Sequence, residues 1–260
     1  LTVRRLGYGS LIALSVLFWG YTLWSYADAY LISWPRESRI HRTIVQQVVP
    51  LEAIQQVAPQ PLQLAGVRAF ESTDNRLDLL SGVTNPNPLW SAHITYAFKL
   101  GEQTTPSQEA VVLPESTRPV VALGSRGSGD PEFLIQAVQW QRVSLDSVGG
   151  SYPTYAAERQ DFVFSEEPSY LSLGDGLGTT DFTITNNSGY GYWKVELFIT
   201  LLRQGIPLAV NRVDVRELKP NETRPVSLQW LGEFGGVDQV DIIPYVNILD
   251  QASYLPTTRL

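Results

Sequence analysis

An uncharged apolar segment opens the chain, and no later segment resembles it. No Asp, Glu, Lys or Arg lies between Arg5 and Asp28. A helix over 6–27 would be roughly 33 Å long at ~1.5 Å per residue, which matches a hydrocarbon core of ~30 Å. Aromatic side chains crowd its far end, as they do at headgroup level: Trp24, Tyr26, Tyr30 and Trp34. The pattern predicts a transmembrane anchor within 1–34.

A cleaved secretory signal is the alternative for this segment. Its apolar region would be shorter, and a small-residue cleavage site would follow it. Trp24-Ser25-Tyr26 offers no such site, so we expect an uncleaved, single-pass anchor in contact with the lipid bilayer through 6–27. Arg4 and Arg5 favour a cytoplasmic N-terminus and an extracytoplasmic remainder, because positive residues are enriched on the cytoplasmic side. The arginines at 36, 39 and 42, on the other side of the segment, nearly balance this charge difference.

The segment 35–61 predicts a helical stalk or linker. Ile40, Ile44 and Val48 recur every four residues, which is typical of an amphipathic helix, and Pro50 interrupts the pattern. The stalk could pack against a partner helix or dock on the domain that follows, and the sequence leaves both open.

From about residue 62 the apolar positions alternate with period two, which is typical of strands with one buried face. Turn-forming runs such as 85–88 and 174–176 separate the predicted strands. The strands predicted in the first part are 64–70, 77–84, 90–99, 109–113, 118–124 and 133–143. Those predicted in the second part are 161–164, 169–173, 180–186, 192–202, 207–217, 224–231 and 239–249. No helix longer than one turn is expected among them.

An internal repeat divides this β region. Residues 114–120 (PESTRPV) and 220–226 (PNETRPV) both fit P-x-x-T-R-P-V and lie 106 residues apart. Alternating apolar runs begin at Trp90 and Trp193 before the two motifs, and an asparagine pair precedes each run. We expect Trp90 and Trp193 to be equivalent core residues.

The length of the repeat indicates the fold class. About 100 residues is the usual size of an immunoglobulin-like sandwich. The sequence therefore predicts a mainly β protein, in which the anchor and stalk precede two tandem immunoglobulin-like β-sandwiches. Their predicted bounds are 62–148 and 159–256, with a linker over 149–158.

One stretch of the first unit resembles known families. The segment 82–102, GVTNPNPLWSAHITYAFKLGE, resembles the WHy domain of late-embryogenesis-abundant proteins, in which Asn-Pro-Asn-Pro precedes a strand. It is also similar to bacterial FxLYD domains. The second unit keeps an asparagine pair and LFITLLRQG but lacks Asn-Pro-Asn-Pro, and neither unit has Leu-Tyr-Asp. The resemblance implies immunoglobulin-like sandwiches in a membrane-anchored, non-enzymatic protein, without catalytic residues.

The composition and the motifs of the chain argue against several classes of function. The net charge is −7 without clustered Lys and Arg, which argues against nucleic acid as a partner. The chain has no cysteine and two histidines, and it lacks a phosphate-binding loop or a zinc-protease motif. We therefore expect no enzyme activity, no cofactor and no metal. A calcium site is a weaker alternative to surface carboxylates at four acidic residues: Glu166, Glu167, Asp175 and Asp181.

The repeated motif places Arg118 and Arg224 at equivalent positions. Both are expected at strand starts on the outer face, each paired with a carboxylate of its own unit. A ligand-binding role for the two arginines is the alternative.

Apolar residues on faces that should be polar indicate a contact surface. They are Phe198, Leu202, Ile243 and Tyr245. Either the neighbouring unit or another protein could cover them. We therefore expect a structural or protein-interaction subunit of a cell-envelope assembly, of undetermined oligomeric state. A pilin-like filament subunit is the alternative, although Arg4 and Arg5 lie inside the chain. A ligand receptor or enzyme is least favoured.

Overall fold

The computed structural model describes residues 2–28, 58–72, 75–164 and 168–256. The chain divides into two compact units, 1–58 and 59–260. The stalk was predicted over 35–61; its residues 35–57, and Glu166 and Glu167 of the calcium alternative, lie outside the described residues, and 58–61 are not helical.

The first unit contains helix α1, Thr2–Ala27. A helix over the apolar segment is therefore confirmed. Its large apolar side chains between Leu14 and Tyr26 are exposed. Within the residues that the structure describes, no helix has both the length and the apolarity needed to cross a membrane.

The second unit is mainly β, as predicted, with its strands in antiparallel sheets. The strands are β1 Gln63–Leu64, β2 Arg68–Glu71, β3 Leu77–Asn85, β4 Trp90–Leu100, β5 Gln103–Thr104, β6 Gln108–Val112, β7 Ser116–Ser125, β8 Pro131–Arg142, β9 Phe162–Phe164, β10 Ser169–Gly174, β11 Leu177–Asn186, β12 Tyr192–Arg203, β13 Ile206–Leu218, β14 Thr223–Leu231 and β15 Gln239–Tyr245. Helix α2, Tyr152–Arg159, lies between β8 and β9, and single 3₁₀ turns cover Asp146–Val148 and Gln251–Ser253.

The four sheets form two pairs of similar topology. In sheet I, β3 pairs with β1 and β2 on one side and β7 on the other, and in sheet II, β4 pairs with β5, β6 and β8. In sheet III, β11 pairs with β9, β10 and β14, and in sheet IV, β12 pairs with β13 and β15. We call 59–143 the N-terminal β half and 161–256 the C-terminal β half.

The repeated motif occupies the same register in both halves. Arg118 on β7 lies opposite Val83, and Arg224 on β14 lies opposite Ile184. The preceding threonines form equivalent cross-strand hydrogen bonds, Thr84 to Thr117 at 2.8 Å and Thr185 to Thr223 at 2.9 Å between hydroxyl oxygens. The internal repeat is thus a structural repeat.

A buried asparagine ends the strand before each long run. Asn85 donates from Nδ2 to the carbonyls of Trp90 (2.6 Å) and Leu113 (3.1 Å). Asn186 donates in the same way to the carbonyls of Tyr190 (2.7 Å) and Lys219 (3.0 Å). Because buried carbonyls need donors, each asparagine closes the connection between the two sheets of its half.

Each half has an apolar core between its sheets. The N-terminal core consists of Leu79, Val83, Ala92, Ile94, Tyr96, Phe98, Leu100, Ala110, Val112, Val120 and Ala122. The inward face predicted for β4 is confirmed for Ala92, Ile94, Tyr96 and Phe98, although Ala97 on the other face is buried as well. In the C-terminal half, the predicted inward face of β12 is confirmed for Val195, Leu197, Ile199 and Leu201, all fully buried.

The prediction for Trp193 is wrong. Its side chain is 47% exposed, whereas the neighbouring Tyr192 is fully buried, and Trp90 is half-buried. Two bulky aromatics begin β12, and the buried one is Tyr192, which lies on the same face of the strand as Glu196 and Phe198. Its hydroxyl donates to the Arg159 carbonyl. The expected equivalence of Trp90 and Trp193 therefore does not hold.

Two further expectations are corrected. The linker 149–158 contains most of α2, a helix of two turns, which begins because Ser151 accepts from the Thr154 amide and Pro153 stands in the first turn. The last strand ends at Tyr245 rather than 249, although Val246 and Ile248 beyond it remain buried.

Candidate functional site: the buried junction between the β halves

The candidate site lies where sheet IV meets the N-terminal β half. Strand β13 contacts β2, β3 and β7, and the C-terminal core cluster includes Phe70, Leu113 and Val121 from the N-terminal half. We call this region the junction. The outer face of β12 therefore faces protein rather than solvent, which explains why Glu196 and Phe198 are buried.

Arg118 is the central side chain of the junction. Its Nη2 lies 2.7 Å from Oε2 of Glu196, in the other half, and both side chains are nearly inaccessible to solvent. Its Nη1 donates to the Val111 carbonyl at 2.9 Å. Lys194 adds a second cation, with its Nζ 2.7 Å from the other Glu196 oxygen. The carboxylate of Glu196 is thus held by one cation from each half.

Tyr245 completes the arrangement from β15. It lies opposite Glu196 in the sheet, and its ring centroid is 3.7 Å from the Arg118 guanidinium carbon. Its hydroxyl donates to the same Val111 carbonyl that accepts from Arg118. A cation over an aromatic face is worth about 0.5–2 kcal/mol when desolvated, so the ring stabilises the buried arginine.

The electrostatics agree with a stable ion pair. Burial by itself raises the pKa of the Glu196 carboxyl, but Arg118 and Lys194 together outweigh it and the net pKa is lowered. Burial raises the pKa of Tyr245 to about 12, despite the opposing effect of Arg118. At neutral pH Glu196 is therefore charged and Tyr245 is a neutral donor. Nε of Arg118 is buried without a hydrogen-bond partner among the described residues.

The second copy of the motif behaves as predicted, and the first does not. Arg224 pairs with Glu222 of its own half at 2.5 Å and donates to the Glu217 carbonyl. That carbonyl is equivalent to the Val111 carbonyl, since both lie seven residues before the arginine. Arg118 keeps the backbone contact, but its carboxylate partner is in the other half, which corrects the expectation of a partner in the same unit.

The predicted contact residues separate into two groups. Phe198 and Tyr245 are buried within the chain, so intrachain packing, the alternative left open above, accounts for both. Leu202 is half-buried and Ile243 is 38% exposed. Contact with a protein partner stays a prediction for Leu202 and Ile243.

Sequence reasoning missed Glu196 and Lys194. A signal was present, because a single carboxylate stands between the core residues Val195 and Leu197 in an otherwise apolar run. Such a charge is buried only when it is paired. The partner could not be identified, since Arg118 is 78 residues away.

The charged groups named above have structural partners in the described part of the junction. Every charged atom named above is engaged in an ion pair, a stacking contact or a backbone hydrogen bond, apart from Nε of Arg118. His93 is exposed, with Nε2 3.0 Å from Oε1 of Gln141. In the described ranges no three acidic or histidine side chains are grouped as a metal site would need. The junction connects the two β halves through a buried ion pair and shared apolar packing.

Comparisons with known proteins give no family. No family model and no curated protein matches the chain. Among solved structures it is similar to red sea bream transglutaminase, with 13% sequence identity and a TM-score of 0.23. The match covers 74% of this chain and 30% of that chain. A TM-score this low supports no statement on fold or function.

Proposed function

We propose that this chain is a single-pass, membrane-anchored structural subunit whose two tandem immunoglobulin-like sandwiches contact other proteins of a cell-envelope assembly. The observation that carries the proposal is the junction. A subunit that presents a surface to an assembly needs fixed geometry, and the buried Arg118–Glu196 pair with the shared apolar packing supplies it.

The anchor is proposed from the N-terminal helix. The segment 6–27 carries no charge, and the described large apolar side chains of α1 between Leu14 and Tyr26 are exposed. Leaving that much apolar surface in water is unfavourable by roughly 25 cal/mol per Å². A lipid bilayer is the environment that accommodates it best, and the positive residues Arg4 and Arg5 favour an extracytoplasmic β region.

The two β halves fit the immunoglobulin-like class in strand pattern. Each has two antiparallel sheets, an apolar core between them and a length near 100 residues. The resemblance of 82–102 to WHy and FxLYD domains supports the same class. In that segment Asn85 has a defined role, because it satisfies the carbonyls at the end of the strand.

The partner surface is proposed around Ile243 and Leu202. Ile243 lies opposite Phe198, and Leu202 lies opposite Gln239, on adjacent strands of sheet IV. An apolar side chain exposed at a sheet edge is a suitable contact point for another protein.

Membrane association and partner contact can be tested together in cells. A photo-crosslinking amino acid is placed at Ile243. Leu123 is the matched control, because it is an exposed aliphatic residue of similar size that lies on β7 of the other half. We expect crosslinked protein adducts from position 243 and few from 123. Full-length chain should sediment with membranes after alkaline carbonate washing, and a chain lacking residues 1–27 should not.

Two outcomes would contradict this proposal separately. If both chains sediment equally with membranes, residues 1–27 do not anchor the protein. If positions 243 and 123 crosslink equally, Ile243 does not lie in a partner-binding surface, whereas the proposal of a membrane anchor is unaffected.

A further inference from the structure

Strand β8, Pro131–Arg142, has an open edge. It pairs with β4 from one end to the other, and within the described residues its second edge pairs with no strand. Its residues from Gln136 to Gln139 are exposed, and the Val138 side chain is 38% accessible to solvent. None of the junction contacts described above involves this strand. The open edge therefore presents backbone donors and acceptors that another strand can pair with.

The other long edge strands are protected, and β8 is not. Proline and charged residues inside an edge strand hinder pairing with a further strand. Except for β8, each described edge strand of seven residues or more contains both: Arg118 and Pro119 in β7, Pro207 and Arg212 in β13, Arg224 and Pro225 in β14, and Asp241 and Pro244 in β15. Between Glu132 and Arg142, β8 has no charged residue, no proline and no glycine. An uncharged segment of this kind is the type that accepts an added strand.

A β-bulge divides β8 into two parts. Ala137 lies opposite Thr95, and Ile135 lies opposite Tyr96, the next residue of β4. Gln136 is therefore the extra residue of the bulge. The bulge changes the alternation, so that odd-numbered side chains face the core before it and even-numbered side chains face the core after it.

This change of alternation makes β8 complementary to itself. The core-facing residues are Phe133 and Ile135 before the bulge, and Val138 and Trp140 after it. A second copy that pairs antiparallel about a two-fold axis at the bulge places Phe133 opposite the partner's Trp140, and Ile135 opposite the partner's Val138. Without the extra residue, the same register would put core-facing residues opposite outward-facing ones.

The apolar core reaches this edge. Phe133 and Trp140 are only partly buried, and both pack against the N-terminal core. The Phe133 ring centroid lies 5.2 Å from that of Phe98, which is fully buried. A second copy in this register would cover both rings, and aromatic pairs across neighbouring strands stabilise a sheet.

Charge at the seam does not oppose the pairing, although the net charge of each copy is −7. The carboxylate of Glu132 would lie opposite the uncharged side chain of the partner's Gln141. The two Glu132 positions would be roughly 30 Å apart at ~3.3 Å per residue, well beyond the Debye length of ~8 Å at physiological ionic strength. An uncharged strand of one copy thus meets an uncharged strand of the other.

We propose that the chain forms a two-fold symmetric dimer, in which the β8 strands of two copies pair antiparallel and join their sheets II into one continuous sheet. A strand of another protein would also satisfy the backbone of β8, but the match of both faces about one axis favours a second copy. Each copy has one β8, so the pairing closes after two copies. The proposal depends neither on the membrane anchor nor on the surface around Ile243, so each can fail without the others.

The test is a charge exchange at Ala137, next to the proposed axis, followed by sedimentation velocity of the full chain in detergent micelles. At micromolar concentration the unmodified chain should sediment as a dimer. Ala137→Glu and Ala137→Lys should each weaken dimerisation about tenfold or more, a change of about 1.4 kcal/mol or more, because like charges would meet across the axis. An equimolar mixture of the two variants should restore the dimer, which also shows that both variants are folded.

Ser227→Glu is the matched control, because Ser227 is exposed on β14, an edge strand that contains proline. It should sediment as the unmodified chain does. A chain that stays monomeric, a dimer that Ala137→Glu leaves intact, or a mixture of the charged variants that stays monomeric would overturn the proposal. Open-ended oligomers in place of a dimer would overturn it as well.

Cysteine substitution tests the register, since the chain has no cysteine of its own. In Ala137→Cys the two Cα atoms would lie roughly 6 Å apart across the seam, which a disulfide can span. In Gln141→Cys the two positions would be roughly 30 Å apart, so we expect no disulfide but a spin-label distance near that value. Equal crosslinking at both positions would contradict the register. Diluting labelled chain into unlabelled chain removes distances between copies, so that distances within one copy can be measured separately.

Discussion

Replacing Arg118 by alanine should lower the free energy of unfolding by about 3–5 kcal/mol, the usual cost of removing one partner of a buried ion pair. The carboxylate of Glu196 would stay buried with only Lys194 beside it, and Tyr245 would lose the cation that covers its ring. Urea denaturation of the full chain in detergent measures the effect.

Arg224→Ala is the matched control for Arg118→Ala, because Arg224 occupies the same position of the repeated motif. Its pair with Glu222 is partly exposed, and such pairs contribute about 0–1 kcal/mol. In a double-mutant cycle, Arg118→Ala combined with Glu196→Ala should cost less than the two changes added together. Equal effects at positions 118 and 224, or strict additivity in the cycle, would show that the pair does not stabilise the junction.

Replacing Phe98 by alanine should cost about 3–5 kcal/mol, because a fully buried aromatic leaves both a transfer loss and a cavity. Leu197→Ala, in the core of the other half, should cost about 2–5 kcal/mol for the same reason. Since the junction joins the halves into one cooperative body, each change should shift a single transition. Fluorescence and circular dichroism should then report the same midpoint.

The control for the core substitutions is Leu123→Ala, since Leu123 is exposed on β7 and a surface change there should stay within about 0.5 kcal/mol. A second transition that Phe98→Ala or Leu197→Ala leaves in place would mean that the halves unfold independently.

The sequence predicted the strands well because the period-two pattern and the turn residues agree over most of 62–245. The repeated motif was a sound guide as well. It occupies one register in both halves, and the threonine pairs at 84–117 and 185–223 match. These features are local, or they repeat along the chain, so they can be recognised without knowing which sheets meet.

The sequence could not supply the burial of residues at a strand end, nor the contacts between the halves. At the start of β12, period two places Trp193 on the face of Val195, yet Trp193 is exposed and Tyr192 on the opposite face is buried. Ser151 and Pro153 are typical of a helix start, but the helix that follows has only two turns, too few for a clear helical pattern in the sequence. The partner of Arg118 depends on how the two β halves meet, and no periodicity encodes that.

The most direct test of the account is the distance between the two halves in solution. The chain has no cysteine, so Gln139→Cys and Gln229→Cys, exposed positions in opposite halves, can be spin-labelled selectively and measured by double electron–electron resonance. If the buried junction holds the halves together, one narrow distance distribution should be measured, which broadens when Arg118→Ala is added and does not change with Arg224→Ala. A broad distribution in the chain with Arg118 intact, or a narrow one that survives Arg118→Ala, would contradict the claim that the buried junction holds the halves as one body.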